Sequence, residues 1–173
     1  MENKITKLEG YSPQISNLVS MMNYVRKTTL ETVAGLSVAN LDFLPSGDGN
    51  SIGALLAHIA AVERFFQIQT FEERHPHKSE IATLTPALGL GELGRDEIRG
   101  RQLSEYLQTM ASTRENTLQE LKKRDDEWLF REAAWGTDLS NNYFLWFHVF
   151  EDEINHRGQM RIIRKMMKDD REE

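Results

Sequence analysis

The sequence predicts an all-α protein, an antiparallel four-helix bundle whose second and third helices are joined by a long crossover loop. Three observations predict it. Four segments repeat apolar residues at the spacing of one helix face, and no segment sustains the alternation of a strand. Residues 74–100 form a connection longer than a helical hairpin needs.

The first helix starts at Ser12 and Pro13, a capping residue followed by a proline suited to the first turn. It carries Ile15, Leu18, Val19, Met22 and Val25 on towards Val33, with Gly35 as its stop. The second follows the turn-rich stretch "PSGDGNS" and places Leu55, Ile59, Val62 and Phe66 on one stripe. The connection "RHPHKSEIATLTPALGLGELGRDEIRG" reads as a Gly-rich loop with a structural crossover role. The third helix spans Leu103 to Lys123, turning Leu103, Tyr106, Leu107, Met110, Thr117, Leu118 and Leu121 inward. "DDEWLFREAAWGTDLSNN" then reads as a packed loop, with room for a short strand pair and with Trp128, Phe130 and Trp135 at irregular spacing. The fourth helix opens near "LSNN" and runs to Met167. No internal repeat is evident, and the charged end "DDREE" is expected to fray.

A length of 173 residues suits one domain, residues 1–173, with a sizeable core. No apolar run is long enough to span a bilayer, and no basic segment followed by an apolar stretch marks a secretory signal, so a cytoplasmic protein is expected. With zero cysteines there is no disulfide framework and no thiol nucleophile, and any metal must be held by His and carboxylate. A net charge of −6 disfavours nucleic acid and anionic lipid as partners. The basic cluster "RIIRKMMK" ends the last helix, where cations are favoured electrostatically in any case.

The fourth helix contains the feature that points to function. With His148 as zero and about 100° per residue, Gln159 falls at about 20°, Asp152 at about 40°, His156 at about 80° and Asn155 at about −20°. Leu145, Ile162, Ile163 and Met166 share that sector, so the polar set is expected on the inward stripe. Carboxylate, imidazole and amide groups buried without partners would cost several kcal/mol together, which calls for either a polar network or a metal. Asp152 and His156 lie four apart and project side by side, the spacing of a helical chelate. His58, on the apolar side of the second helix, can supply a third ligand and leave positions open for water or substrate.

Two stretches, "SIGALLAHIAAVERFF" and "FHVFEDEINHRGQM", resemble the DinB/YfiT-like superfamily over nearly the whole chain. In that superfamily a His on the second helix and an H-x-x-x-H pair on the last helix bind a divalent metal. The resemblance implies His58 and His156, the latter directly before Arg-Gly-Gln, as ligands. Asp152 stands where the superfamily usually has a third His, which gives a two-His, one-carboxylate set of a carboxylate-bearing branch. Zinc or nickel suits this set first, and iron or manganese also fits.

Other candidates take supporting roles. His148 and Glu151, on the same face, are candidate proton acceptors, while Asn155 and Gln159 are expected to support the ligands. Glu63 points about 140° from His58 and reads as a surface or helix-pairing charge. Arg157 is expected to face outward, Gly158 to admit a close helix, and His75 and His77 to be solvated. Trp146 and Phe150 project from the opposite face, to be covered by the Trp128–Trp135 loop or by a second subunit; the resemblance to a frequently dimeric superfamily favours a homodimer.

The resemblance also implies chemistry: the metal can activate a low-molecular-weight thiol for attack on an electrophile, which requires no protein cysteine. The same open metal could run hydrolysis by activating water. The non-catalytic alternative is a dimeric, stress-related protein that binds metal or a small molecule.

Overall fold

The bundle begins where a carboxylate reaches across the chain. Asp126 Oδ1 accepts hydrogen bonds from Ser12 Oγ at 2.5 Å and from the backbone N–H groups of Gln14 and Ile15 at 2.9 and 3.2 Å. It therefore satisfies donors that the first turn of a helix leaves open. In this computed structural model, which describes residues 4–45 and 47–169, helix α1 spans Pro13–Val33. The rest of the tail expected to fray, from residue 170 on, lies outside the described residues.

Helix α2 (Val38–Asp42) precedes α3 (Ile52–Thr70), whose N-cap Ser51 accepts from Ala54 N at 3.1 Å. Helices α4 (Lys78–Gly89) and α5 (Gly91–Glu97) form the crossover, and α6 (Leu103–Lys122) and α7 (Asp126–Leu129) follow. A hairpin of β1 (Glu132–Trp135) and β2 (Asp138–Asn141), with Glu132 opposite Asn141, leads into α8 (Asn142–Asp169). The four predicted helices are α1, α3, α6 and α8, and the predicted strand pair is present. The crossover is not the Gly-rich loop expected: it is two helices broken at Leu90 and Gly91, both at positive φ. Pro86 sits inside α4 and packs it against Gly94 of α5, whose Cβ position lies 3.0 Å from the Pro86 carbonyl.

Side-chain pairings give the helix directions. His58 meets His156 and Thr70 meets Trp146, so α3 and α8 run antiparallel. Gly53 approaches Tyr106 and Gln67 bonds Thr117, so α3 and α6 run parallel, as the crossover requires. Arg26 meets Glu153 and Thr32 meets Arg161, so α1 and α8 also run parallel.

Two apolar clusters make up the core. One gathers Ile15, Leu18, Val62, Phe66, Trp128 and Trp146; the other gathers Leu41, Ile52, Leu55, Ile59, Met160 and Ile163. A charged layer of Arg26, Glu63, Arg114 and Glu153 joins the four bundle helices. Glu63, expected as a surface or helix-pairing charge, is the latter: it is 0% exposed, as is Glu153, and pairs with Arg26 and Arg114. Arg26 Nε donates to Glu153 and its Nη2 to Glu63, both at 3.0 Å, and Arg114 Nε donates to Glu63 at 2.7 Å. Each guanidinium also crosses to a main-chain carbonyl, Arg26 to Met110 O at 3.0 Å and Arg114 to Met22 O at 3.2 Å. Burying two carboxylates and two guanidiniums is tolerable because their hydrogen bonds are supplied within the layer.

This layer shows a repeat that the sequence reading missed. Arg26-x-x-Thr29-Leu30 on α1 recurs as Arg114-x-x-Thr117-Leu118 on α6, and His58-x-x-x-x-Glu63 on α3 recurs as His148-x-x-x-x-Glu153 on α8. The contacts repeat too: Gln67 of α3 donates to Thr113 O of α6, and Arg157 of α8 donates to Val25 O of α1. The two halves of the bundle are thus related by an approximate twofold.

Several expectations about α8 change. Its buried stripe runs through Leu145, Val149, Glu153, Met160, Ile163 and Met167, about 60–140° from His148, so the predicted polar sector lies at its edge. Ile162 and Met166 are 58% and 43% exposed. Arg157 is half-buried and bonds Thr28 Oγ1 rather than facing outward. Gly158 has nothing within 4 Å of a would-be Cβ, so no helix approaches there. Trp146 needs no second subunit: its indole N–H donates to Thr70 Oγ1 at 3.1 Å, and its ring stacks on Phe71, which stacks in turn on Trp128.

Candidate metal centre

His58 projects from α3 towards α8, beneath the crossover. Its Nδ1–H donates to Ala87 O at 2.8 Å, one of the terminal carbonyls that α4 leaves open just beyond Pro86. That bond fixes the tautomer and turns Nε2 towards α8. There Asp152 and His156, one turn apart, complete the set: His58 Nε2 lies 3.4 Å from Asp152 Oδ2, and His156 Nε2 lies 3.2 Å from Asp152 Oδ1. The imidazole rings meet edge to face at 4.6 Å. One ligand atom from each residue can be chosen so that all lie within 4.8 Å of one another.

The carboxylate and the imidazoles influence one another electrostatically. Burial alone would raise the Asp152 carboxyl, but the imidazoles of His156 and His58 beside it override that and hold the group well below the usual carboxylate range. Burial alone would lower His58, while Asp152 and the Ala87 carbonyl override that and raise it. Asp152 Oδ2 and His156 Nδ1 are buried without a hydrogen-bond partner. A buried acceptor left over beside two Nε2 atoms fits a cation: ligands about 2.1 Å from a tetrahedral ion stand roughly 3.4 Å apart. The three residues could hold a metal ion.

The remaining candidates form a second group. Asn155, exposed, donates to Glu151 Oε1 at 2.6 Å, and Glu151 Oε2 accepts from His148 Nδ1 at 3.1 Å. Asn155 therefore steadies Glu151, and Glu151 steadies His148 with Nε2 turned away. Gln159 is exposed, and no hydrogen bond joins it to the imidazoles. His148 packs edge-on against Trp135 at 4.6 Å and against Phe66 at 6.1 Å. Those two rings stack on each other at 5.9 Å and line a cavity of about 940 Å³ under the hairpin. His75, exposed, lines the far side of that cavity, and His77 precedes α4, its N–H bonded to Glu80.

The profile of the mycothiol-S-transferase family matches residues 17–169. The chain belongs to the mycothiol S-transferase family. That match spans all of the bundle but the first turn of α1 and includes all three candidate ligands, in agreement with the DinB-like resemblance. A crystal structure of a conserved protein from Enterococcus faecalis shares the fold, with a TM-score of 0.65 at 18% identity, covering 86% of this chain and 94% of that one. No curated protein matches the sequence at a significant level. Among the described residues no helix is long and apolar enough to cross a membrane.

Sequence reasoning missed Arg26, Arg114 and Glu153 and left Glu63 open between a surface and a helix-pairing charge, of which the second holds. The paired Arg-x-x-Thr-Leu and His-x-x-x-x-Glu motifs were the signal that could have found them. The charged layer of Arg26, Glu63, Arg114 and Glu153 is a polar network, and the three residues that could hold a metal are a separate set, between α3 and α8.

Proposed function

We propose that the protein transfers a low-molecular-weight thiol to an electrophile at a divalent metal held by His58, Asp152 and His156. The observation that supports it most is the buried carboxylate flanked by two Nε2 atoms, in a chain of a thiol S-transferase family that has no cysteine. A divalent ion bound there, zinc or nickel first, would keep a substrate thiol ionised near neutral pH. Ala87 O orients His58, and α4 shields that imidazole from water.

His148 takes the thiol proton at Nε2, and Glu151, holding Nδ1–H, stabilises the imidazolium that results. The sulfur then forms a bond to the electrophilic carbon. Where a group leaves, it departs with the bonding pair and His148 returns the proton. With an unsaturated electrophile the proton ends on the neighbouring carbon. The same reading includes a homodimer, supported by Phe147 and Ile154, which α8 leaves 44% and 39% exposed on one face. Sedimentation of the wild type and Ile154→Lys would check that assembly.

The deciding experiment measures bound metal and thiol conjugation in the wild type and in His58→Ala, Asp152→Ala and His156→Ala. The expected outcome is one metal per chain in the wild type, with loss of metal and of conjugation in each variant. Full metal retention in all three would overturn the ligand assignment. Metal loss from a protein that hydrolyses esters but conjugates no thiol would replace transfer with hydrolysis.

A further inference from the structure

The cavity under the β1–β2 hairpin is set apart from the metal end and shares no lining residue with it. His148 lies one turn before Asp152, about 6 Å along the axis, and its ring touches the Trp135 wall. The approximate twofold clarifies this end. His148 on α8 stands where His58 stands on α3, but the residues that correspond to Asp152 and His156 are Val62 and Phe66. The repeat of the metal site is therefore an imidazole set among apolar groups. Among the described residues the one group of three that could hold an ion is His58, Asp152 and His156, and the groups here suit an apolar ring.

From this we infer that the hairpin cavity binds the electrophilic co-substrate, and that it selects an uncharged, planar, aromatic or conjugated molecule. The inference rests on the thiol-transfer reading of the metal end. Phe66 and Trp135 lie nearly parallel, at 11°, and Phe65 adds a third ring to the lining. Flat π-systems favour offset stacking on such surfaces. The charges in the walls cancel, Glu73 and Glu132 against Arg74 and Arg131, and Arg74 is further engaged by Glu80 at 2.7 Å. A charged ligand would thus gain little over water.

The cavity volume of about 940 Å³ accommodates a drug-sized ligand. An electrophile stacked there would lie against Trp135 and Phe66, the two rings that His148 touches, and His148 precedes Asp152 by one turn. Thiol addition then forms one S–C bond, moves the π pair onto the withdrawing group and delivers the thiol proton to carbon, with no oxidant or reductant.

Calorimetric titration with 1,3-dinitrobenzene, planar, uncharged and without a leaving group, tests this in the absence of thiol. Saturable one-to-one binding is expected in the wild type and in Asp152→Ala. Trp135→Leu should weaken it about tenfold, the loss that follows removal of one stacking partner. Trp135→Phe, which keeps a ring and guards against a folding artefact, should restore most of it. No saturable binding, or binding lost in Asp152→Ala and kept in Trp135→Leu, would overturn the assignment. Binding that follows the expected pattern in a protein that conjugates no thiol would leave the cavity standing and remove the transfer reading instead.

Discussion

The two halves of the bundle use the same charged framework and differ in what they hang on it. α1 and α3 supply Arg26, His58 and Glu63, and α6 and α8 supply Arg114, His148 and Glu153. At the centre the halves are alike: each Glu pairs with the guanidiniums of both halves, Glu153 meeting Arg114 at 3.5 Å, and each Arg reaches a carbonyl on the opposite helix. On the outer groove they diverge, Asp152 and His156 at one end and Val62 and Phe66 at the other. The difference separates scaffold from proposed chemistry: the charged layer is kept twice, while the set that could hold a metal is complete once.

The largest effects should therefore come from the layer, and they should be symmetric. Replacing Glu63 or Glu153 with Ala leaves buried guanidiniums under-compensated, which costs about 3–5 kcal/mol in either case. Urea unfolding measures both. A loss under about 1 kcal/mol in one variant alone would show that only one half carries the layer.

Next come the imidazoles, where the halves should part. His58→Ala should cost more than the roughly 100-fold in metal affinity that loss of an outer support produces. His148→Ala, its counterpart, should leave metal content unchanged and lower turnover. Equal metal loss in the two would mean that His148 is a ligand and the assignment of the groove is wrong.

A smaller effect separates the layer's charge from its shape. Burial alone would raise Glu63, but Arg114 and Arg26, with a hydrogen bond from Thr117, override it and leave the carboxyl below its ordinary value of 4.5. A depressed carboxyl contributes stability that is complete above the unfolded value and lost as pH falls through the folded one. The advantage of the wild type over Glu63→Gln should thus be largest above about pH 5 and shrink on acidification below it. Urea midpoints across that range give the answer. A constant difference would place the benefit in hydrogen bonding alone.

Helices were readable because each buries one apolar stripe. Ser12, Pro13, Ser51 and Gly35 mark ends correctly since capping and left-handed backbone are local properties. The three candidate ligands were readable for the same reason: Asp152 and His156 share a turn, and His58 interrupts an apolar stripe. The charged layer was not. Glu63 looks like a surface residue until Arg26 and Arg114, 37 and 51 positions away, are brought to it. The inward sector of α8 was also placed about 60° off, because Ile162 and Met166 were counted as core while the buried side includes Glu153. A charged residue in a core defeats hydrophobic periodicity, and only the partner's position restores the pattern.

The finest comparison between the halves lies in their threonines. Thr117 and Thr29 occupy equivalent positions, and both are fully buried. Thr117 Oγ1 lies 2.7 Å from Glu63 Oε1, so its hydroxyl donates to a carboxylate, while Thr29 Oγ1 donates to Val25 O, four residues back on its own helix, at 3.1 Å. A hydrogen bond to a charged group contributes about 1.5–3 kcal/mol, whereas a hydroxyl bonded to its own helix carbonyl adds to a peptide group that is already satisfied. Thr117→Val should therefore destabilise by about 1.5–3 kcal/mol and Thr29→Val by under about 1 kcal/mol, although both swaps keep the branched shape. Paired denaturation curves resolve the difference. Equal losses would mean that Thr29 supports Glu153 as Thr117 supports Glu63, and the twofold would then extend from the charges to the hydroxyls around them.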